Sequence, residues 1–374
     1  MLKIPLIFGL DVIHGFKTIC PIPIAESASW NLDLIEKSAR MAAKEAASAG
    51  INWTFAPMVD ISRDARWGRV MESAGEDPYL GSKIAVSRIN GFQGYDLKNP
   101  LTIASCAKHF AAYGFAESGK DYNTADIGTQ TLHNIILPPF KASAKAKVAT
   151  FMNSFNEING IPATGSKFLQ RSMLKEKWNY KGFIVSDWGS IEEMVAHGYS
   201  KDLKSAALSA IKAGSDMDMM SSAYINYLKN LLDEKKISID IINDAVKRVL
   251  SVKYDLGLFS NPYLYCNDAR EKENIFNDST RALSQEIAQE SIVLLKNDAN
   301  ILPLKKSGLK IALLGGLAID KDSPLGNWRA KAPKNSAISV KEGLIKYNNN
   351  TLKFQRGPKL FKNPTFIDGH LNVN

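Results

Sequence analysis

The stretch Gly182-Phe183-Ile184-Val185-Ser186-Asp187-Trp188-Gly189 decides how the rest of the chain is read. An apolar run of strand type ends abruptly in a carboxylate beside a large aromatic ring, and an amphipathic run follows at once. In a parallel α/β protein the carboxyl ends of the strands carry the chemistry, because loops there converge on one pocket while the strands hold them rigid. Asp187 is therefore the first catalytic candidate. A turn or helix N-cap aspartate would look the same, and the segment by itself allows both readings. Ser190 and Glu193 have capping-box spacing, which predicts a helix with Ile191, Met194 and Val195 on its apolar face.

Outward from this segment, short apolar runs alternate with amphipathic ones from Leu2 to about Gly257, the pattern of parallel βα units. Strands are expected at Ile4–Gly9, Asn52–Ala56, Thr102–Ala107, Val148–Met152, Phe183–Ser186 and near Ser215–Met219. Helices are expected at Ser29–Ala49, closed by Gly50, at Phe140–Lys147, at Lys204–Ala213 with Gly214 as its stop, and at Ile237–Leu256 before Gly257. Six strands are visible where a closed (β/α)₈ barrel needs eight, so the barrel is expected to lack its N-terminal part. Asn261 to about Asn277 is aperiodic and reads as a linker. Ser279–Leu295 is helical or extended apolar sequence. Leu309–Leu314 with Gly315-Gly316 opens a second α/β unit, whose polar end, from Asn348-Asn349-Asn350 onward, is too poor in apolar residues to bury a core of its own.

Composition narrows the function classes. With 45% hydrophobic and 23% charged residues the chain has the balance of a well-cored globular protein. No apolar stretch approaches the roughly 20 residues needed to span a bilayer, and no signal peptide is visible in the chain as given. The net charge of +9 comes from scattered lysines rather than a basic stripe, and no recognition motif accompanies it, so nucleic acid is not an expected partner. Cys20, Cys106 and Cys266 are widely spaced and imply neither disulfides nor zinc. No metal or cofactor is expected. Asp216-Met217-Asp218 puts its carboxylates on opposite faces of a strand, the five histidines form no ligand spacing, and neither a dinucleotide fingerprint nor a P-loop occurs. The nucleophile elbow of serine hydrolases is missing too.

What the strand ends do offer suits a hydroxyl-rich ligand. Asp11 follows the first strand, Lys108 and His109 follow the third, and a long loop from Phe55 through Arg63, Arg66, Trp67 and Arg69 leads to Glu72, Glu76 and Asp77. Ordering so charged a loop is costly, so it is organised by internal ion pairs, a ligand, or both. Taken singly, each of these residues could equally be structural.

Taken together, Phe8-Gly9-Leu10-Asp11-Val12-Ile13-His14-Gly15, the Arg63–Arg69 loop with Glu72, Gly75-Glu76-Asp77-Pro78-Tyr79, Ala107-Lys108-His109-Phe110-Ala111-Ala112-Tyr113-Gly114 and Val185-Ser186-Asp187-Trp188-Gly189 resemble glycoside hydrolase family 3. Val252–Phe259 and Glu290–Asn297 resemble its domain junction, so the likeness covers nearly the whole chain. The resemblance implies an α/β protein: a (β/α)₈ TIM-like barrel over 1–260 lacking its N-terminal part, an interdomain linker over 261–300, and the N-terminal part of an α/β sandwich domain over 301–374. It implies a retaining glycosidase acting on terminal β-D-glucosyl residues, with Asp187 as nucleophile. Asp11, Arg69, Lys108, His109 and Asp121 would bind the sugar hydroxyls, and Trp188 would wall the sugar. Asp121 stands where family members often carry Glu. Lys108 and Arg69 would also keep Asp187 ionised.

The N-acetylglucosaminidase branch carries a Gly-rich loop with a His-Asp pair soon after Lys-His-Phe. Here Ala111-Ala112-Tyr113-Gly114 stands instead, which leaves a β-glucosidase or β-xylosidase. The partner implied is a β-linked gluco-oligosaccharide or glucoside, and the location implied is periplasmic or secreted. The acid/base is expected beyond residue 374, so a non-catalytic sugar-binding remnant and one half of a split enzyme stay open as alternatives. Oligomeric state is open as well.

Overall fold

The computed structural model describes residues 3–347 and 349–358, and the backbone of 364–367 and 370–373. Its first half is built on parallel strands in sequence order. β1 (Gly9–Leu10) pairs with β2 (Trp53–Thr54) through Gly9 opposite Trp53, and Trp53 bridges to Ala104 just ahead of β3 (Cys106–Phe110). β3 pairs with β4 (Thr150–Asn153), β4 with β5 (Phe183–Val185), and Val185 bridges to Met217. The strand positions expected from sequence thus form one arc in which each neighbour follows the last by a helical crossover, as right-handed βαβ units require. All of β3, β4 and β5 is buried, which is why the apolar residues in these segments cluster rather than alternate.

The strands are shorter than expected: β1 shares only Gly9 with the expected Ile4–Gly9, the segment near Ser215–Met219 contributes a bridge at Met217 rather than a strand, and β3 is displaced toward the carboxyl end. Lys108 and His109 therefore lie within it rather than just past it. The peptide bonds Ala56–Pro57, Lys108–His109 and Phe110–Ala111 are cis.

The helices follow their signals with one exception. Asn31 caps Leu32–Ser48 by accepting from the Leu34 amide at 3.0 Å, and the chain leaves it through Gly50 at φ +92°. Small residues on its buried face let Pro78–Gln93 pack very close: a β-carbon on Gly91 would lie 2.5 Å from both Ala39 Cβ and the Glu36 carbonyl oxygen. Gly91→Ala is accordingly expected to destabilise the fold by about 1–3 kcal/mol, the usual cost of overpacking. Urea unfolding checks this, and an unchanged midpoint would mean the helices separate freely.

The exception is the helix Ser190–Ala196. Ser190 and Glu193 do not form the expected capping box, because the N-cap is Gly189 at φ 70°, with no side-chain cap. Ser190 instead faces inward, where its hydroxyl accepts from Thr164 at 3.0 Å.

The aperiodic stretch after Asn261 contains a helix, Asp268–Asn274, opened by the Asn267 side chain, and Asp278–Glu290 follows. This region is fastened to the first half by the fully buried Glu45 carboxylate, which accepts from the amides of Thr18 and Phe276, both at 2.8 Å. Beyond it, β6 (Ser307–Leu314) pairs in parallel with β7 (Asn349–Gln355) across the helix Val340–Tyr347, so the second unit holds a strand that sequence did not reveal. The expectation for Asn348 lies outside the described residues. His14 Nε2 lies 2.6 Å from the Asn327 carbonyl and the Lys331 amide donates to the Phe16 carbonyl, which brings residues 322–332 over the β1 end of the arc.

Candidate active site

The expected site residues reach one place from separate elements. Asp11 directly follows β1, and Arg69 sits in the 3₁₀ turn Gly68–Glu72 of the long loop after β2. Lys108 and His109 belong to β3, and Asp187 stands two residues past β5. Lys108 Nζ donates to Asp11 Oδ1 at 3.1 Å. Arg69 grips the buried Glu72 with a fork, Nε to Oε1 at 2.6 Å and Nη2 to Oε2 at 3.1 Å. Its Nη2 also lies 2.9 Å from His109 Nε2, which in turn is 3.6 Å from Asp187 Oδ2. The loop's ordering cost is therefore met by an internal ion pair whose arginine also faces the cluster.

Asp187 has two different oxygens. Oδ1 accepts from the Trp188 amide at 2.7 Å, whereas Oδ2 is buried without a hydrogen-bond partner among the described residues. Burial pushes this carboxyl up to about 6, although Lys108 and Arg69 pull it down. The two cations favour the ionised form, as expected, but removing a nearly buried carboxylate from water outweighs them and leaves the carboxyl above its ordinary value. Lys108 is itself engaged by Asp11, and Arg69 by Glu72, which spends part of their positive field elsewhere.

Asp121 is set further out, accepting from Trp67 Nε1 at 2.8 Å. It joins the cluster indirectly, through Tyr113, whose ring packs edge-on to both Trp67 and His109 and lies 5.5 Å from the Arg69 guanidinium carbon. Trp188 is 62% exposed, so its ring stands free at the rim.

Three residues were not singled out from sequence. Asp60, in the quoted loop, accepts from both the backbone amide and Nδ1 of His109, at 2.8 and 2.9 Å. Glu193, which resembled a cap, turns toward the cluster. Burial first, then the charges of Asp187, Glu192 and Asp121, push it up to about 7. Trp328 comes from the second unit, with Lys108 Nζ 5.5 Å and the Arg69 guanidinium carbon 5.9 Å from its ring centre. Asp60 had a readable signal, an acid shortly after a strand end; Trp328 had none, since its partners lie more than 200 residues away.

Among the described residues no group of three or more His, Cys, Asp or Glu is placed to hold a metal ion. The assembled chemistry is one nearly buried carboxylate with an open oxygen, ringed by cations, a neutral imidazole and indoles. Such a set suits a neutral, hydroxyl-rich ring presenting an electrophilic carbon.

Comparison with known proteins agrees with that chemistry. Residues 1–252 match the glycosyl hydrolase family 3 N terminal domain, and residues 292–367 match the family 3 C-terminal domain. The periplasmic beta-glucosidase of Salmonella typhimurium is 42% identical over 347 residues, which is 92% of this chain and 45% of that protein. A putative beta-xylosidase of Formosa agariphila is 35% identical over 91% of this chain and 46% of its own length. Among solved structures, a mutant beta-glucosidase from Listeria innocua in complex with laminaribiose superimposes with a TM-score of 0.93 at 39% identity, covering 97% of this chain and 50% of that one. The same enzyme in complex with glucose gives 0.92. The chain thus spans about half the length of the relatives it matches. Sequence motifs, strand arc and family match converge, and the chain belongs to glycosyl hydrolase family 3.

Proposed function

We propose that this chain carries the sugar-binding and nucleophile half of a retaining β-glucosidase, with Asp187 as the nucleophile. The observation that carries the reading is the Asp187 Oδ2 atom, buried, unpartnered among the described residues and 3.6 Å from His109 Nε2 at the carboxyl end of β5. A carboxylate oxygen with no hydrogen bond to give up is free to attack the anomeric carbon. The C1–O bond to the aglycone breaks as the new ester bond forms, its electron pair leaves with the aglycone, and water later opens the ester with a second inversion. Asp11, Arg69, Lys108, His109 and Asp121 would bind hydroxyls, and Trp188 would lie against the sugar. Donors fixed before the sugar arrives favour the oxocarbenium-like transition state because they need no reorganisation.

A glucoside is preferred to a xyloside because the beta-glucosidase relative is 42% identical against 35% for the beta-xylosidase. The relative named periplasmic supports a periplasmic or secreted location; among the described residues no helix is long and apolar enough to cross a membrane.

The test is proton NMR of the first sugar released from dinitrophenyl β-glucoside, whose leaving group departs without an acid. β-Glucose appearing first supports retention; α-glucose first, or no turnover by a folded chain, would overturn the proposal. The same substrate gives a pH prediction. Asp187 must be ionised to attack and its carboxyl is pushed up to about 6, so the rate is expected to be full above that value and to fall as pH drops through it. A flat profile from pH 5 to 8 would contradict the assignment.

The raised value also has a stability side. The native state holds the Asp187 proton more tightly than the unfolded chain does, so ionisation costs stability as pH rises from about 4 to about 6. Asp187→Asn is therefore expected to be more stable than wild type at pH 7, by on the order of 1–3 kcal/mol in urea unfolding.

A further inference from the structure

We infer that Asp60 is a positioning residue that locks His109 in its neutral Nδ1–H tautomer, so that the Nε2 lone pair orients Arg69. The argument starts from Arg69. A guanidinium has only donors, and its Nη2 lies 2.9 Å from His109 Nε2, so that ring nitrogen must present a lone pair. The proton of a neutral imidazole then sits on Nδ1, 2.9 Å from Asp60 Oδ2. The same oxygen accepts the His109 backbone amide at 2.8 Å, so it already serves as an acceptor. Asp60 is thus the carboxylate at the base of a chain running Asp60, His109, Arg69, Glu72.

Each alternative fails on this geometry. With the proton on Nε2, or with both nitrogens protonated, an N–H would face the Arg69 N–H. Burial, then Arg69 and Lys108, hold the His109 imidazolium well below its ordinary range, in keeping with a neutral ring. Asp60, His109 and Glu72 are buried, and Arg69 is partly so. With Nε2 taken up by Arg69, the remaining Arg69 nitrogen and Lys108 are the cationic donors turned to the ligand, and Asp187 Oδ2 keeps a 3.6 Å separation from the ring instead of a hydrogen bond that would dull it.

The inference rests on the sugar-binding reading above only for its catalytic consequence; the tautomer stands on its own. The first measurement is the ¹⁵N–¹H correlation spectrum of the full chain labelled in histidine, with His109 assigned by its loss in His109→Gln. A pyrrole-type Nδ1 and a pyridine-type Nε2 are expected at pH 8. The Nε2–H form or an imidazolium would overturn the inference without any variant at Asp60 having to fold. The second is Asp60→Leu, which leaves Nδ1 without its acceptor; Asp60→Asn would not serve, since its amide oxygen can take the place of Oδ2. We expect the Nδ1–H fraction to fall in the spectrum of Asp60→Leu, together with a rise of roughly tenfold to a hundredfold in the glucoside concentration that half-saturates fluoroglucoside labelling, the range carried by outer hydrogen-bond partners of metal-bound histidines. Unchanged tautomer and saturation in Asp60→Leu would overturn the positioning role. A wild-type chain with the expected tautomer that never labels would overturn the retaining-enzyme reading and leave the tautomer assignment standing.

Discussion

Asp187→Ala is expected to lower the rate of dinitrophenyl β-glucoside cleavage by about 10⁴-fold or more, the scale on which enzymes lose rate when a covalent nucleophile is removed. The size follows from the site. The neighbouring carboxyl groups are engaged or set among like charges: Asp11 is held by Lys108, Glu72 by Arg69, Asp60 by His109 and Asp121 by Trp67, while Glu193 is pushed up by burial and by the charges of Asp187, Glu192 and Asp121. Exogenous azide should restore turnover in the variant, because the lost side chain leaves room below the anomeric carbon. The rescued product should be the α-glucosyl azide, formed with a single inversion. A variant that keeps more than a tenth of wild-type rate, or yields the β-azide, would show that the attacking group is elsewhere.

Arg88→Met is expected to destabilise the fold by about 3–5 kcal/mol, since it strands a buried charge. Arg88 Nη1 donates to Glu26 Oε2 at 2.6 Å, and the two side chains are 4% and 1% exposed. Its other arm donates to the Ile13 carbonyl, which ties the segment after Asp11 to the helix Pro78–Gln93. Glu26→Gln removes the stranded charge while its amide oxygen can still accept from Ser38, which donates to Oε1 at 2.7 Å. The double variant Glu26→Gln/Arg88→Met should therefore lose less than the sum of the singles, by about 1–3 kcal/mol. Strict additivity in urea unfolding would mean the pair does not couple.

The arc of strands was legible because β3, β4 and β5 are buried throughout and the segments leading into and through them are mostly apolar, Lys108, His109 and Asn153 lying toward their carboxyl ends. Helix stops were legible at Gly50, Gly214 and Gly257, where the backbone takes φ of +92°, +119° and +73° that only glycine adopts without strain. Helix starts were less so. Ser190 and Glu193 match a capping box in spacing, yet the tertiary structure draws Ser190 to Thr164 and turns Glu193 toward the cluster. The short helix Asp268–Asn274 has only its Asn267 cap as a signal and no apolar face, so it read as linker.

Long-range electrostatics was the least legible layer. Lys108 and Arg69 near Asp187 suggested cations that favour its ionised form, but sequence does not reveal that each cation is already paired, nor how much water the site excludes. Asp60 and His109 are 49 positions apart, and their bond depends on how the loop after β2 runs beside β3, where Met58 bridges to Lys108. Trp328 depends on the second unit folding over the arc through the His14 contact with Asn327. Residue types at strand ends thus pointed to a sugar site, while the proton positions within it followed only from three-dimensional contacts.

The central claim, that Asp187 attacks the sugar, is tested most directly by mass spectrometry of the folded chain after incubation with 2,4-dinitrophenyl 2-deoxy-2-fluoro-β-glucoside. The fluorine slows breakdown of the ester, and the dinitrophenolate leaves unaided. The account predicts one fluoroglucosyl adduct, on the peptide containing Asp187, absent from Asp187→Ala. An adduct on any other residue, or none on a chain shown to be folded, would contradict it.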